Sequence, residues 1–119
     1  MAFNKEQFKK RTQQVAVRVI RLVQALPRTM EADVIGRQLL RASTSVGANY
    51  RAATRAKSSA DYINKLKIVE EEADESLYWL ELLVEAEIMS KSLLDPLMKE
   101  FDEILAIIVA SLKTLHNRS

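Results

Sequence analysis

The side chains able to do chemistry are few, and the sharpest arrangement is a pair of carboxylates. Glu72 and Glu75 lie one helical turn apart within the apolar row Ile68, Trp79 and Leu82, where neighbours would strip away part of their water. Carboxylates so placed could divide general-acid and general-base duty. They could also be neutralised by partners, and Arg41 and Asn49 on the preceding segment are the candidates, Asn49 itself occupying a core position. The second reading is favoured: a polar network of Arg41, Asn49, Glu72 and Glu75 that fixes helix register. There is no cysteine, only one histidine, His116, and no Glu-x-x-His step. A thiolate nucleophile, a Cys- or His-rich metal centre and a Ser-His-Asp triad within one chain are thereby excluded. The sequence predicts no catalytic residue, no metal, no cofactor and no small-molecule substrate.

Phosphate binding is the other chemistry the residues could support. The net charge of +2 conceals a division, because residues 1–57 hold twelve Lys/Arg against three Asp/Glu while residues 58–119 hold six against thirteen. Arg37, Arg41, Arg51 and Arg55 occupy about 80° of one helical wheel, opposite its apolar side. Lys10, Arg11, Arg18 and Arg21 fall on one side of the helix before it. Arginine forks in rows suit phosphate oxygens, so Arg18, Arg21, Arg37, Arg41, Arg51 and Arg55 are the nucleic-acid-binding candidates. The competing reading is a solvated or salt-bridged face. Only Tyr50, beside Arg51, supplies an aromatic near these rows, which is short of a stacking platform. The tract Ser43, Thr44, Ser45, Gly47, Ala48, Ala52, Ala53 contains no nucleotide-loop pattern and reads as a place where a neighbouring helix comes close.

The elements that must position these groups are helices. With 119 residues, two glycines and two prolines, the chain lacks the turn signals of β folds and is rich in helix formers. Residues 1–119 read as one domain with helices over about 5–26, 31–56, 59–89 and 96–116. Pro27 closes the first, Ser58 or Ser59 caps the third, and Asp95-Pro96 opens the fourth as N-cap and first helical residue. Apolar steps of three and four run through Phe8, Thr12, Val15 and Val19; Ile35, Leu39, Ala42 and Val46; Leu66, Val69, Ala73 and Leu77; and Met98, Phe101, Leu105 and Ile108. Four such stripes with short connections predict an antiparallel up-and-down four-helix bundle. Ile68, Tyr78, Trp79, Leu82 and Ile107 fall outside the main stripes and are the candidates for a subunit interface. The longest apolar run, Ile104 to Ser111, is far short of the roughly 20 residues of a membrane span, and the first residues lack an apolar signal core, so a cytoplasmic protein is expected.

Two stretches carry a resemblance. Ile35-Gly36-Arg37-Gln38-Leu39-Leu40-Arg41 leading into Ser45-Val46-Gly47-Ala48-Asn49-Tyr50, and Glu72-Ala73-Asp74-Glu75-Ser76-Leu77-Tyr78-Trp79-Leu80, resemble the four-helix-bundle proteins called 23S rRNA intervening-sequence, or S23, proteins. The similarity covers roughly residues 5 to 115. It implies a small bacterial four-helix bundle assembled into a ring-like homopentamer, with no established catalytic residue to carry over. More distantly the chain resembles the accessory proteins of diversity-generating retroelements, basic pentamers that engage a reverse transcriptase and nucleic acid. Family positions at Arg37, Arg41, Asn49, Glu72 and Glu75 match. In many members an acidic residue follows the Asn-Tyr-x step, whereas this chain has Arg51-Ala52-Ala53, which extends the basic face. The resulting expectation is a non-enzymatic homo-oligomer that associates with RNA, DNA or a nucleic-acid enzyme through basic helix faces. The alternative is a protein–protein adaptor with no nucleic-acid role.

Overall fold

The computed structural model describes residues 3–118 and contains four helices: α1 (Lys5–Ala25), α2 (Met30–Thr54), α3 (Ser59–Glu85) and α4 (Lys91–Arg118). Three begin at side-chain caps that satisfy an otherwise unpartnered backbone amide. Asn4 accepts from the Gln7 amide at 3.0 Å, Thr29 from Ala32 at 3.2 Å and Ser58 from Asp61 at 3.1 Å. Acids in the first turns of α1, α2 and α3 face the positive ends of the helix dipoles.

The fourth helix departs from expectation. It opens at Lys91, five residues before Pro96, with the Ser90 carbonyl accepting from the Leu93 and Leu94 amides. The added turn buries Leu94, and that apolar gain outweighs the single backbone hydrogen bond Pro96 cannot make. The third helix stops at Glu85 rather than near Met89. Its end is a Schellman turn in which Glu87 takes φ 59°, its amide bonds to the Val84 carbonyl, and the Ile88 amide reaches back to Leu83.

Successive helices pack side by side and α4 returns to α1 along a thinner seam, while the diagonal pairs do not approach. The result is an up-and-down bundle of 47 × 25 × 21 Å, with no strand among the described residues. Val19, Leu39, Val46, Leu66, Val69, Leu80, Leu83, Phe101 and Ile104 are wholly buried at its centre. Most of the expected stripes are buried, with corrections: Tyr50 takes the core place expected of Asn49, and α4 turns Leu97 and Ile104 inward while Met98 and Leu105 are half-buried. Thr12, Ser43 and Ser76 are buried hydroxyls, each donating to a carbonyl of its own helix.

A close helix contact comes where the small-residue tract predicts it. A Cβ added at Gly47 would stand 3.3 Å from the Thr12 carbonyl oxygen, so α1 crosses α2 directly over this glycine.

Candidate nucleic-acid interface

The arginines expected to form rows are divided among four places. Arg37 is held by Asp33 of its own helix at 3.0 Å. Arg41 crosses to α3, where it donates to Glu72 at 3.0 Å and makes a short contact with Glu75. Arg18 and Arg21 stand on the other side of the molecule, beside Leu93 and Leu97 in an α1–α4 groove of about 270 Å³. Of the four on α2, only Arg51 and Arg55 are unneutralised: among the described residues neither pairs with a carboxylate, and Arg18 and Arg21 on α1 form no ion pair either.

Arg51 and Arg55 line a groove of about 320 Å³ between α1 and α2. Lys9 faces them from α1, and Gln13 and Thr44 add neutral polar groups. The floor is Ala16, Gly47 and Ala48, small because the helices are close. No carboxylate lines it. Lys9 bonds to Glu6 at 3.2 Å, but Glu6 is largely exposed and lies outside the groove. The Thr44 hydroxyl donates to the Leu40 carbonyl at 2.7 Å, which leaves its oxygen able to accept from a ligand. Clustered cations over a small-residue floor can hold an anion whose bulk approaches the backbone closely.

The carboxylate pair is a network, with one correction. Trp79 donates its indole N–H to Glu75 at 3.0 Å, and Arg41 joins both acids. The Trp79 hydrogen bond, ahead of the Arg41 guanidinium, holds the Glu75 carboxyl below its ordinary value. Asn49 takes no part. Its amide donates to the carbonyl and hydroxyl of Ser45 at 2.9 Å, i−4 partners on its own helix. The network sits near the surface, with Arg41 half exposed. It clamps α2 to α3 from outside the core, and among the described residues no three His, Asp or Glu side chains gather as a metal site would need.

A second clamp was not anticipated. Arg11 makes a two-pronged contact with Glu100, at 2.6 and 2.8 Å, and reaches Glu103 at 3.3 Å, bridging the thin α1–α4 seam. Its hydrogen bonds hold the Glu100 carboxyl below its ordinary value, with the charges of Arg11 and Arg18 adding to the effect. No sequence spacing relates residues 11 and 100. Only the return of α4 to α1 brings them together.

Of the interface candidates, Trp79, Leu82 and Ile107 lean on the bundle's own core and Ile68 is half-buried. Tyr78 is 54% exposed. Val17 and Ile20 on α1, Met30 and Val34 on α2, Leu93 and Val109 are exposed apolar residues the wheel reading passed over. Lys9, Gln13 and Thr44 were likewise missed as groove residues; their signal lies in the antiparallel register that sets the residues around 9–16 against those around 44–55. No helix among the described residues is long and apolar enough to cross a membrane.

Known proteins place the fold. A crystal structure of a protein of unknown function from the S23 ribosomal protein family of Bacteroides thetaiotaomicron superposes with a TM-score of 0.85 at 36% identity, covering 92% of this chain and 97% of that one. No curated protein matches the sequence. The model of the 23S rRNA-intervening sequence proteins matches residues 4–110. The chain belongs to the 23S rRNA-intervening sequence protein family.

Proposed function

We propose that this chain is a non-enzymatic helical bundle that associates with nucleic acid through the α1–α2 face. The observation that carries the reading is the groove of Lys9, Arg51 and Arg55, cations that meet no carboxylate within it. Three other arginines, Arg11, Arg37 and Arg41, are neutralised by the bundle's acids. Cations left together on a small floor are suited to phosphate oxygens. Titration of labelled RNA and duplex DNA at two salt concentrations tests the role. Binding should weaken steeply with salt, and Arg51→Glu with Arg55→Glu should abolish it while Arg37→Glu leaves most of it. An absence of binding at low salt would remove the proposal.

Self-association is a second reading, favoured by Tyr78, a large aromatic exposed beside the outward acids Glu71, Asp74 and Glu81 of α3. The family resemblance points to a homopentamer. Light scattering decides it: a mass of several chains supports the reading and the 13.5 kDa of one chain ends it.

A further inference from the structure

The shape of the α1–α2 groove restricts what form of nucleic acid it can accept. This step rests on the phosphate-binding role above. Two packed helices lie about 8–10 Å apart, so the concavity between them is narrower than a duplex, whose major groove alone is about 12 Å wide. Within its 320 Å³ the floor is Ala16, Gly47 and Ala48. Gly47 is small because a Cβ there would press on the Thr12 carbonyl at 3.3 Å.

The cations are arranged along that chain's path. Arg51 and Arg55 are one helical turn apart on α2, a separation of about 5–6 Å between Cβ atoms, and Lys9 stands across the groove from them. Such a row can hold neighbouring phosphates of one strand. The Thr44 oxygen and the Gln13 amide can meet sugar or base edges, and none of the lining residues is aromatic. Stacking, the usual way of gripping single-stranded bases, is not available here.

We infer that the α1–α2 groove receives a single strand of nucleic acid, held by its backbone with little preference among bases, and that a duplex reaches only the rim. Fluorescence anisotropy with labelled twelve-residue oligo-dT, oligo-dA and a blunt duplex of the same length, at two salt concentrations, tests this. The single strands should bind at least about fivefold more tightly than the duplex and within about twofold of each other. The salt slope should be near −2, about 0.7 for each of three phosphates, and Arg51→Ala with Arg55→Ala should reduce it by about 1.4. Ala48→Gln on α2 and Ala16→Gln on α1 fill the groove without changing charge, with circular dichroism reporting that each variant folds. Both should weaken strand binding while leaving duplex binding unchanged. Equal or tighter duplex binding, or fillers that leave strand binding untouched, would overturn the single-strand inference while the phosphate-binding role stands. Failure of every probe to bind at low salt would end both.

Discussion

In the first half of α2, Arg37 turns back to Asp33 and Arg41 crosses to Glu72 and Glu75. In the second half, Arg51 and Arg55 face α1, whose long side chains in the shared groove are the cation Lys9 and the neutral Gln13. The four arginines share one arc of the helix, so the difference comes from their surroundings. Arg41 lies at the α3 edge, and α3 is rich in acids; α1 carries Glu6 as its single carboxylate. The glycines divide the same way. Gly36 faces the tip of the Leu26 side chain, at 2.9 Å from an added Cβ, whereas Gly47 faces the backbone of α1. One half of α2 is neutralised and bordered by side chains that can shift; the other is cationic and fixed against a neighbouring backbone.

Bulk at the two glycines should break the comparison most sharply. Gly47→Leu must push aside a helical carbonyl, and overpacking of this kind should cost about 2–3 kcal/mol. Gly36→Ala presses on the end of Leu26 at the C-cap of α1, which can rotate away, and touches Val23 at ordinary van der Waals distance. It should be neutral or stabilising, by up to about 1 kcal/mol from helix propensity. Urea unfolding of both variants measures the contrast. Similar losses at the two sites would mean that α1 yields as readily as Leu26 does.

The arrangement of helices was legible in the sequence because each helix carries an apolar stripe of the right period, Pro27 closes the first and Ser58 caps the third. Pro96 misled because a proline suits a helix start, but the burial of Leu94 extends α4 beyond it. Asn49 misled because its wheel position is a core position, whereas its amide found Ser45 on its own helix. The pairing of Arg41 with Glu72 and Glu75 could be foreseen from adjacent helices of opposite charge. The Arg11–Glu100 clamp could not, since it depends on how α4 closes against α1. The groove needed the register of α1 on α2, which no periodicity within either helix contains.

Acid sharpens the comparison by releasing only the neutralised arginines. Glu100 and Glu75 both have carboxyl pKa values lowered in the folded chain, the first chiefly by its Arg11 hydrogen bonds and the second chiefly by Trp79. A lowered folded value means that the stabilisation is full above the ordinary carboxylate value of 4.5 and is lost as pH falls through the folded value. Thermal unfolding should therefore be flat near neutrality and fall below about pH 4.5. Glu100→Gln should cost about 1–2 kcal/mol at pH 7, because Arg11 loses a charged partner at the thin seam. It should also make the acid fall shallower. Trp79 fluorescence should follow the Glu75 contact through the same acid range. A Glu100→Gln variant with an unchanged acid profile would show that the α1–α4 clamp adds nothing.

The smallest expected effect lies in the fixed half of α2. Tyr50 is 1% exposed and packs edge-on against Phe8 at 4.7 Å between ring centres. Its hydroxyl has no hydrogen-bond partner among the described residues, and burial pushes its pKa up to about 12. A buried phenol left unpaired is costly, whereas phenylalanine keeps the ring and the edge contact while removing the stranded oxygen. Tyr50→Phe should therefore raise stability, by up to about 1 kcal/mol at pH 7, leave the acid profile unchanged, and remove the loss of stability expected above about pH 10, where the unfolded phenol ionises and the buried one does not. Urea unfolding at pH 7 measures it. A loss of stability would mean that the hydroxyl is satisfied in solution, and that this half of α2 holds a bound water where it is otherwise fully packed.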